Sequence, residues 1–132
     1  MLVTRICPRF CDTDALGHIN NTVIPVWFLE AREPIYRWFS SDVSAVPLAV
    51  VRLEVDYLAE THFGVEVEVR SQITRIGNSS FQLQQELWQG ELLTARGLTT
   101  LVNFDQQNRK SLPLPEAVKQ QMSKHLLSGE DK

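Results

Sequence analysis

The chain is poor in cysteine: Cys7 and Cys11 are the only two in 132 residues. They sit four apart with no second Cys/His pair at zinc-like spacing, so neither a disulfide framework nor a structural metal is indicated, and the thiols read as buried or idle. Basic runs are absent too. Lys and Arg number 13 against 16 Asp and Glu, a net charge of -3, which leaves no electrostatic footprint for nucleic acid or an anionic membrane. No apolar run approaches the roughly 20 residues that span a bilayer, and the first residues lack the apolar core of a signal peptide, so a soluble cytoplasmic protein is expected. There is no linker, repeat or low-complexity segment. A length of 132 residues with 43% hydrophobic content suits one domain, 1–132, burying roughly two-thirds of its unfolded surface.

What the chain does have is a dense polar run, Arg9-Phe10-Cys11-Asp12-Thr13-Asp14-Ala15-Leu16-Gly17-His18-Ile19-Asn20-Asn21. Directly after it Ile24, Trp27, Phe28, Ala31, Ile35, Trp38 and Phe39 recur at three- and four-residue steps, one buried face of a helix. Asn20 or Asn21 serves as N-cap, and Glu33 with Arg37 forms an i,i+4 pair. Pro34 cannot donate to the carbonyl of Glu30 and its ring crowds that carbonyl, so the helix is one bent element or two.

Periodicity then changes from 3.6 to 2. Val51, Leu53, Val55 and Tyr57 alternate with charged residues, as do Val65, Val67 and Val69; Gly77-Asn78 makes a turn, and Phe81, Leu83, Gln85 and Leu87 alternate again up to Gln89-Gly90. The last strand, Leu92 to Phe104, is apolar or small on both faces, which predicts a second cover on its outer side, such as another subunit. Pro113 and Pro115 precede a short amphipathic helix from about Glu116 to Leu127. With a short first strand at Leu2 to Cys7, the layout is α+β: one helix followed by a meander of four long strands.

A strand, then Arg-Phe-x-Asp-x-Asp-x-x-Gly-His-x-Asn-Asn, then a helix carrying Phe28-Leu29-Glu30-Ala31-Arg32, resembles the hotdog-fold acyl-CoA thioesterases related to 4-hydroxybenzoyl-CoA thioesterase. Val55-Asp56-Tyr57-Leu58, Gly64 to Val69, Gly77 to Phe81 and Phe104-Asp105 with Leu112 to Pro115 extend the resemblance over essentially the whole chain. It implies a hotdog fold: an antiparallel sheet of about five strands wrapped around one long central helix, paired into a homodimer or homotetramer with each active site between subunits. It also implies hydrolysis of an acyl-CoA thioester, with Asp14 as nucleophile or general base.

An aspartate carboxyl titrates near about 3.9 in model peptides and is ionised at neutral pH, as either role requires. Unpaired amides around Asn20 to Thr22, at the positive end of the helix dipole, suit the developing oxyanion, where one donor is worth roughly 3 kcal/mol. His18 and Asn21 complete the catalytic set. Gly17, Asn20, Tyr57, Arg75, Ser79 and Ser80 are the substrate-binding candidates. Gly17 supplies positive φ or a close backbone approach. Arg75, with Arg70, Arg109 and Lys110, offers forks and charge for coenzyme A phosphates, and Ser79 and Ser80 add donors.

No metal or bound cofactor is expected. Plain structural readings stand beside these: Asp12 as a turn or cap residue, Asn20 and Asn21 as helix caps, His18 as a hydrogen-bonded structural residue, His62 as exposed, and Glu60 as part of a solvated strand face. Plant acyl-carrier-protein thioesterases of similar fold have asparagine where this chain has Leu16, a departure that argues against a His-centred mechanism. The alternative function is a non-catalytic acyl-CoA or acyl-carrier binding module; a hotdog hydratase fits less well because its Asp and His have a different spacing.

Overall fold

Pro34 does divide the helical segment. In the computed structural model, which describes residues 1–127, α1 runs Val23–Ala31 and α2 runs Glu33–Phe39, with Arg32 between them and the proline in the first turn of α2. Of the two outcomes expected at Pro34, one bent helix or two, the chain takes the second, because the proline nitrogen has no hydrogen to continue the α1 ladder. Five long or medium strands follow the alternation: β1 (Leu2–Ile6), β2 (Leu48–Tyr57), β3 (Val67–Ile76), β4 (Ser80–Gln89) and β5 (Leu92–Asp105). A two-residue β6 (Lys110–Ser111) pairs with the end of β5, and α3 (Glu116–Ser123) stops short of the expected Leu127.

The sheet is antiparallel with order β1-β3-β4-β5-β2. Only β3, β4 and β5 form a meander. The expected four-strand meander is corrected here: β2 pairs with β5 at one edge, so the chain must cross the end of the sheet before starting β3. Alternation specifies which face a residue takes, and is silent on which strand lies next door. Thr4, Val69, Leu87, Ala95 and Tyr57 lie level across the sheet. Ser80, Val102, Phe81 and Ile76 lie at the other end. Seven residues of β3 separate the two levels, about 23 Å at the rise of a strand.

Two apolar clusters fill the concave face, one per helix. Under α1 lie Ile24, Trp27, Phe28 and Ala31 against Val67, Val69, Leu87 and Ala95. Under α2 and α3 lie Ile35, Val118 and Met122 against Ile73, Phe81, Leu83 and Leu101. Gly97 seats the first helix: a Cβ there would fall 2.7 Å from Phe28 Cε2.

Between the clusters runs a polar layer. Gln85 Nε2 donates to the Phe28 carbonyl (2.9 Å) and to Ser71 Oγ (3.1 Å), and Arg32 Nη1 donates to Gln85 Oε1 (3.4 Å). Burial pushes the Arg32 guanidinium down from its ordinary range, against an upward pull from Tyr36. The outer face of β5 is half-buried at Leu98, Thr100 and Val102. The more exposed apolar surface is on β2, where Val50, Val51 and Leu53 are 46%, 61% and 42% exposed. Cys7 and Cys11 are exposed and unbridged, so of the two readings, buried or idle, burial does not hold.

Candidate active site

Because β2 ends at the far edge, the connection 58–66 has to travel back along the end of the sheet, and it does so against the loop that precedes α1. Three contacts join them: Ile19 N–H donates to Thr61 O (2.8 Å), Phe63 N–H donates to Gly17 O (3.4 Å), and His18 and His62 form an isolated β-bridge. The crossing loop is tied in turn to β4 and β5. Gln89 accepts from His62 N–H (2.9 Å) and donates from Nε2 to the carbonyls of His62 (2.8 Å) and Val65 (3.0 Å), while Thr61 Oγ1 meets Thr94 Oγ1 at 2.9 Å. The result is a cleft of about 260 Å³ whose walls include Asp14, His18, Asn21, Ile24, Tyr57 and Glu60.

The two aspartates of the motif divide cleanly. Asp12 is buried, with only 2% of its surface exposed. Its carboxylate accepts from Arg9 N–H (2.8 Å) and from the Arg9 guanidinium (3.0 and 3.4 Å). Burial alone would push this carboxyl up; the hydrogen bonds and charge of Arg9 outweigh it and hold Asp12 below the usual carboxylate range. Its backbone carbonyl accepts from Asn20 N–H (2.9 Å), which fastens the loop to the start of the helix.

Asp14 lines the cleft. Its Oδ1 accepts from Leu16 N–H (2.9 Å) and His18 N–H (3.2 Å), an Asx-type turn that orients the carboxylate and leaves Oδ2 outside those bonds. Gly17 makes the turn possible through φ +80, with nothing within 4 Å of a Cβ built on it. Of the two reasons for glycine, positive φ is the one that applies.

The helix start refines the oxyanion expectation. Asn20 N–H is used by Asp12 and Thr22 N–H by Asn20 Oδ1 (2.9 Å), so neither is available. Asn21 N–H has no partner among the described residues, and the Asn21 carbonyl accepts from Tyr57 Oη–H (2.7 Å). The N-cap position falls on Thr22, not on Asn20 or Asn21 as expected, because Asn20 sits in the turn before the helix and accepts from the Thr22 and Val23 N–H groups. Asn21 and Tyr57 belong to the cleft. The His18 imidazole, on the same cleft as Asp14, has its Nε2 3.1 Å from Glu60 Oε2 and packs edge-on against the His62 ring at 5.0 Å.

Arg75, Ser79 and Ser80 are not brought to this cleft. They sit at the β3–β4 turn, the other end of the sheet, where Arg75 lines a separate hollow with Gln82, Gln84 and Leu98. Of the other basic candidates, Arg70 pairs with Glu68 (2.6 Å) and covers the Trp88 ring at 4.5 Å, and Arg109 lies 5.9 Å over Phe104. Glu60 and His62, read from sequence as solvated, are the residues that sequence reasoning missed. Their one signal was a compact Glu-Thr-His triplet in the connection between two strands.

A curled antiparallel sheet with helices packed in its concave face is the hotdog fold. Residues 8–122 match the profile of the Thioesterase-like superfamily. A 1,4-dihydroxy-2-naphthoyl-CoA hydrolase from Synechococcus sp. is 31% identical over 115 residues, covering 82% of this chain and 85% of that protein. The structure of a predicted thioesterase from Bacillus stearothermophilus superposes with a TM-score of 0.91 at 35% identity, covering 96% and 97% of the two chains. A thioesterase from Thermus thermophilus, solved with coenzyme A and Zn, gives a TM-score of 0.83 at 32% identity, covering 92% and 91%. The chain belongs to the Thioesterase-like superfamily, and its class of chemistry is thioester hydrolysis.

Proposed function

We propose that the protein hydrolyses an acyl-CoA thioester with an aromatic acyl group, using Asp14 as the catalytic carboxylate. The observation that carries this is the Asp14 turn: two backbone N–H groups hold Oδ1 and leave Oδ2 uncommitted in a cleft that also presents Asn21 and Tyr57. As nucleophile, Oδ2 attacks the thioester carbonyl and displaces the coenzyme A thiolate, leaving an anhydride that water cleaves. As general base, it takes a proton from the attacking water. Both routes put negative charge on the carbonyl oxygen, and the unpartnered Asn21 N–H, two residues before α1 on the same cleft, supports its role as the donor. Ile19, Ile24 and Tyr57 give the cleft its apolar wall. Similarity to relatives named as naphthoyl-CoA hydrolases supports the aromatic class and coenzyme A as carrier.

A panel of aromatic and aliphatic acyl-CoAs, assayed by free-thiol release, tests the reading. Asp14→Asn is expected to lose about 10²- to 10⁴-fold in kcat with the fold retained. Full activity in that variant removes Asp14 from the mechanism, and tight acyl-CoA binding without thiol release marks a binding module instead.

A further inference from the structure

His18, Glu60 and His62 each offer one ligand atom, and these atoms all lie within 4.8 Å of one another. His18 Nε2 and Glu60 Oε2 are 3.1 Å apart, and the two rings meet at 78°. We propose that this trio binds one transition-metal dication of the zinc type at the lip of the Asp14 cleft.

Two imidazoles and a carboxylate are a recurrent zinc donor set, and nitrogen donors disfavour magnesium and calcium. Bonds of about 2.0–2.1 Å to a tetrahedral ion place donors about 3.4 Å apart, so the trio needs only side-chain rotation to close. The Glu60 side chain, 65% exposed, has the freedom to make it. The backbone beneath is fixed: the His18–His62 bridge joins the two loops, and Gln89 clamps His62 on both its N–H and its carbonyl. Neither Glu60 nor the two histidines is paired with Lys or Arg among the described residues, so no cation already occupies the carboxylate.

The ion reaches the reaction through position. His18 N–H holds Asp14 Oδ1, and Glu60 is a wall of the same cleft, so occupancy ties the two loops together, places positive charge near Asp14 and slows turnover. Binding itself is independent of the thioesterase reading; the effect on rate rests on it.

The test is calorimetric titration of Zn²⁺ alone into the full chain carrying Cys7→Ser and Cys11→Ser, which removes the exposed thiols as competing ligands. One ion per chain is expected, at least about tenfold weaker in both His62→Gln and Glu60→Gln, since loss of even an outer-shell partner costs that much. Affinity should be unchanged in His125→Gln, the remaining histidine. Absence of binding, or equal affinity in both ligand variants, overturns the site. Thiol-release assays then read the effect, each protein against its own metal-free rate: Zn²⁺ slows the parent and spares His62→Gln. Binding without that difference overturns the regulatory role, and loss of the thioesterase reading would leave the calorimetric result standing.

Discussion

Asp12 and Asp14 sit two residues apart, carry the same functional group, and end in opposite surroundings. Asp12 is consumed by Arg9 and the fold; Asp14 keeps one oxygen for the cleft. Since the folded Asp12 carboxyl is held below its unfolded value of about 3.9, its stabilisation is present above that value and is lost as pH falls through the folded pKa. Asp12→Asn should therefore cost about 1.5–3 kcal/mol at pH 7, the usual worth of hydrogen bonds to a charged group. The gap between denaturant melts of the two proteins should start to narrow near about pH 4 and keep narrowing as pH falls further; a pH-independent gap would contradict the charge-based account. The motif's division of labour was legible only in part. Residue types and spacing marked Asp14, Gly17 and the helix start, but burial decides which aspartate is structural, and burial depends on where Arg9 folds back.

Among the elements, the strands and the helix break were readable because period-2 alternation and a proline act locally. The place of β2 was not readable, and the crossing loop 58–66 that follows from it brings Glu60 and His62 to His18 across some forty residues of chain. No local pattern contains that proximity. One side chain, Gln89, gives the same loop three of its hydrogen bonds. Gln89→Ala is expected to destabilise the protein by only about 1 kcal/mol, given partly solvated bonds. Amide exchange at His62 should accelerate more than in β4 itself, with kcat falling alongside. Unchanged exchange at His62 would show that the β-bridge to His18 suffices to hold the loop.

At the scale of the whole molecule, β2 leaves one edge of ten residues unpaired among the described residues and bearing exposed Val50, Val51 and Leu53. Long apolar edges of that kind template pairing. A dimer of 15.1 kDa chains joined through β2 is the expected assembly, and light scattering at micromolar concentration should report it. Val51→Lys should shift the mass toward monomer; a parent that is monomeric would refute the joined sheet. Arg75, Ser79 and Ser80, remote from Asp14 in one chain, remain candidates for coenzyme A only if a second subunit brings them near. The strand order also governs events during synthesis. β1 has no partner until β3 appears, and β2 must wait for β5, some 45 residues later, or about 2–9 s at 5–20 residues per second. Until β3 emerges the growing chain offers two unpaired strands and an uncovered α1 to anything nearby, and β2 stays unpaired until β5. A fragment ending at residue 66 should show no sheet signal by circular dichroism, and the full chain's yield should depend on chaperone capacity more than its finished stability suggests.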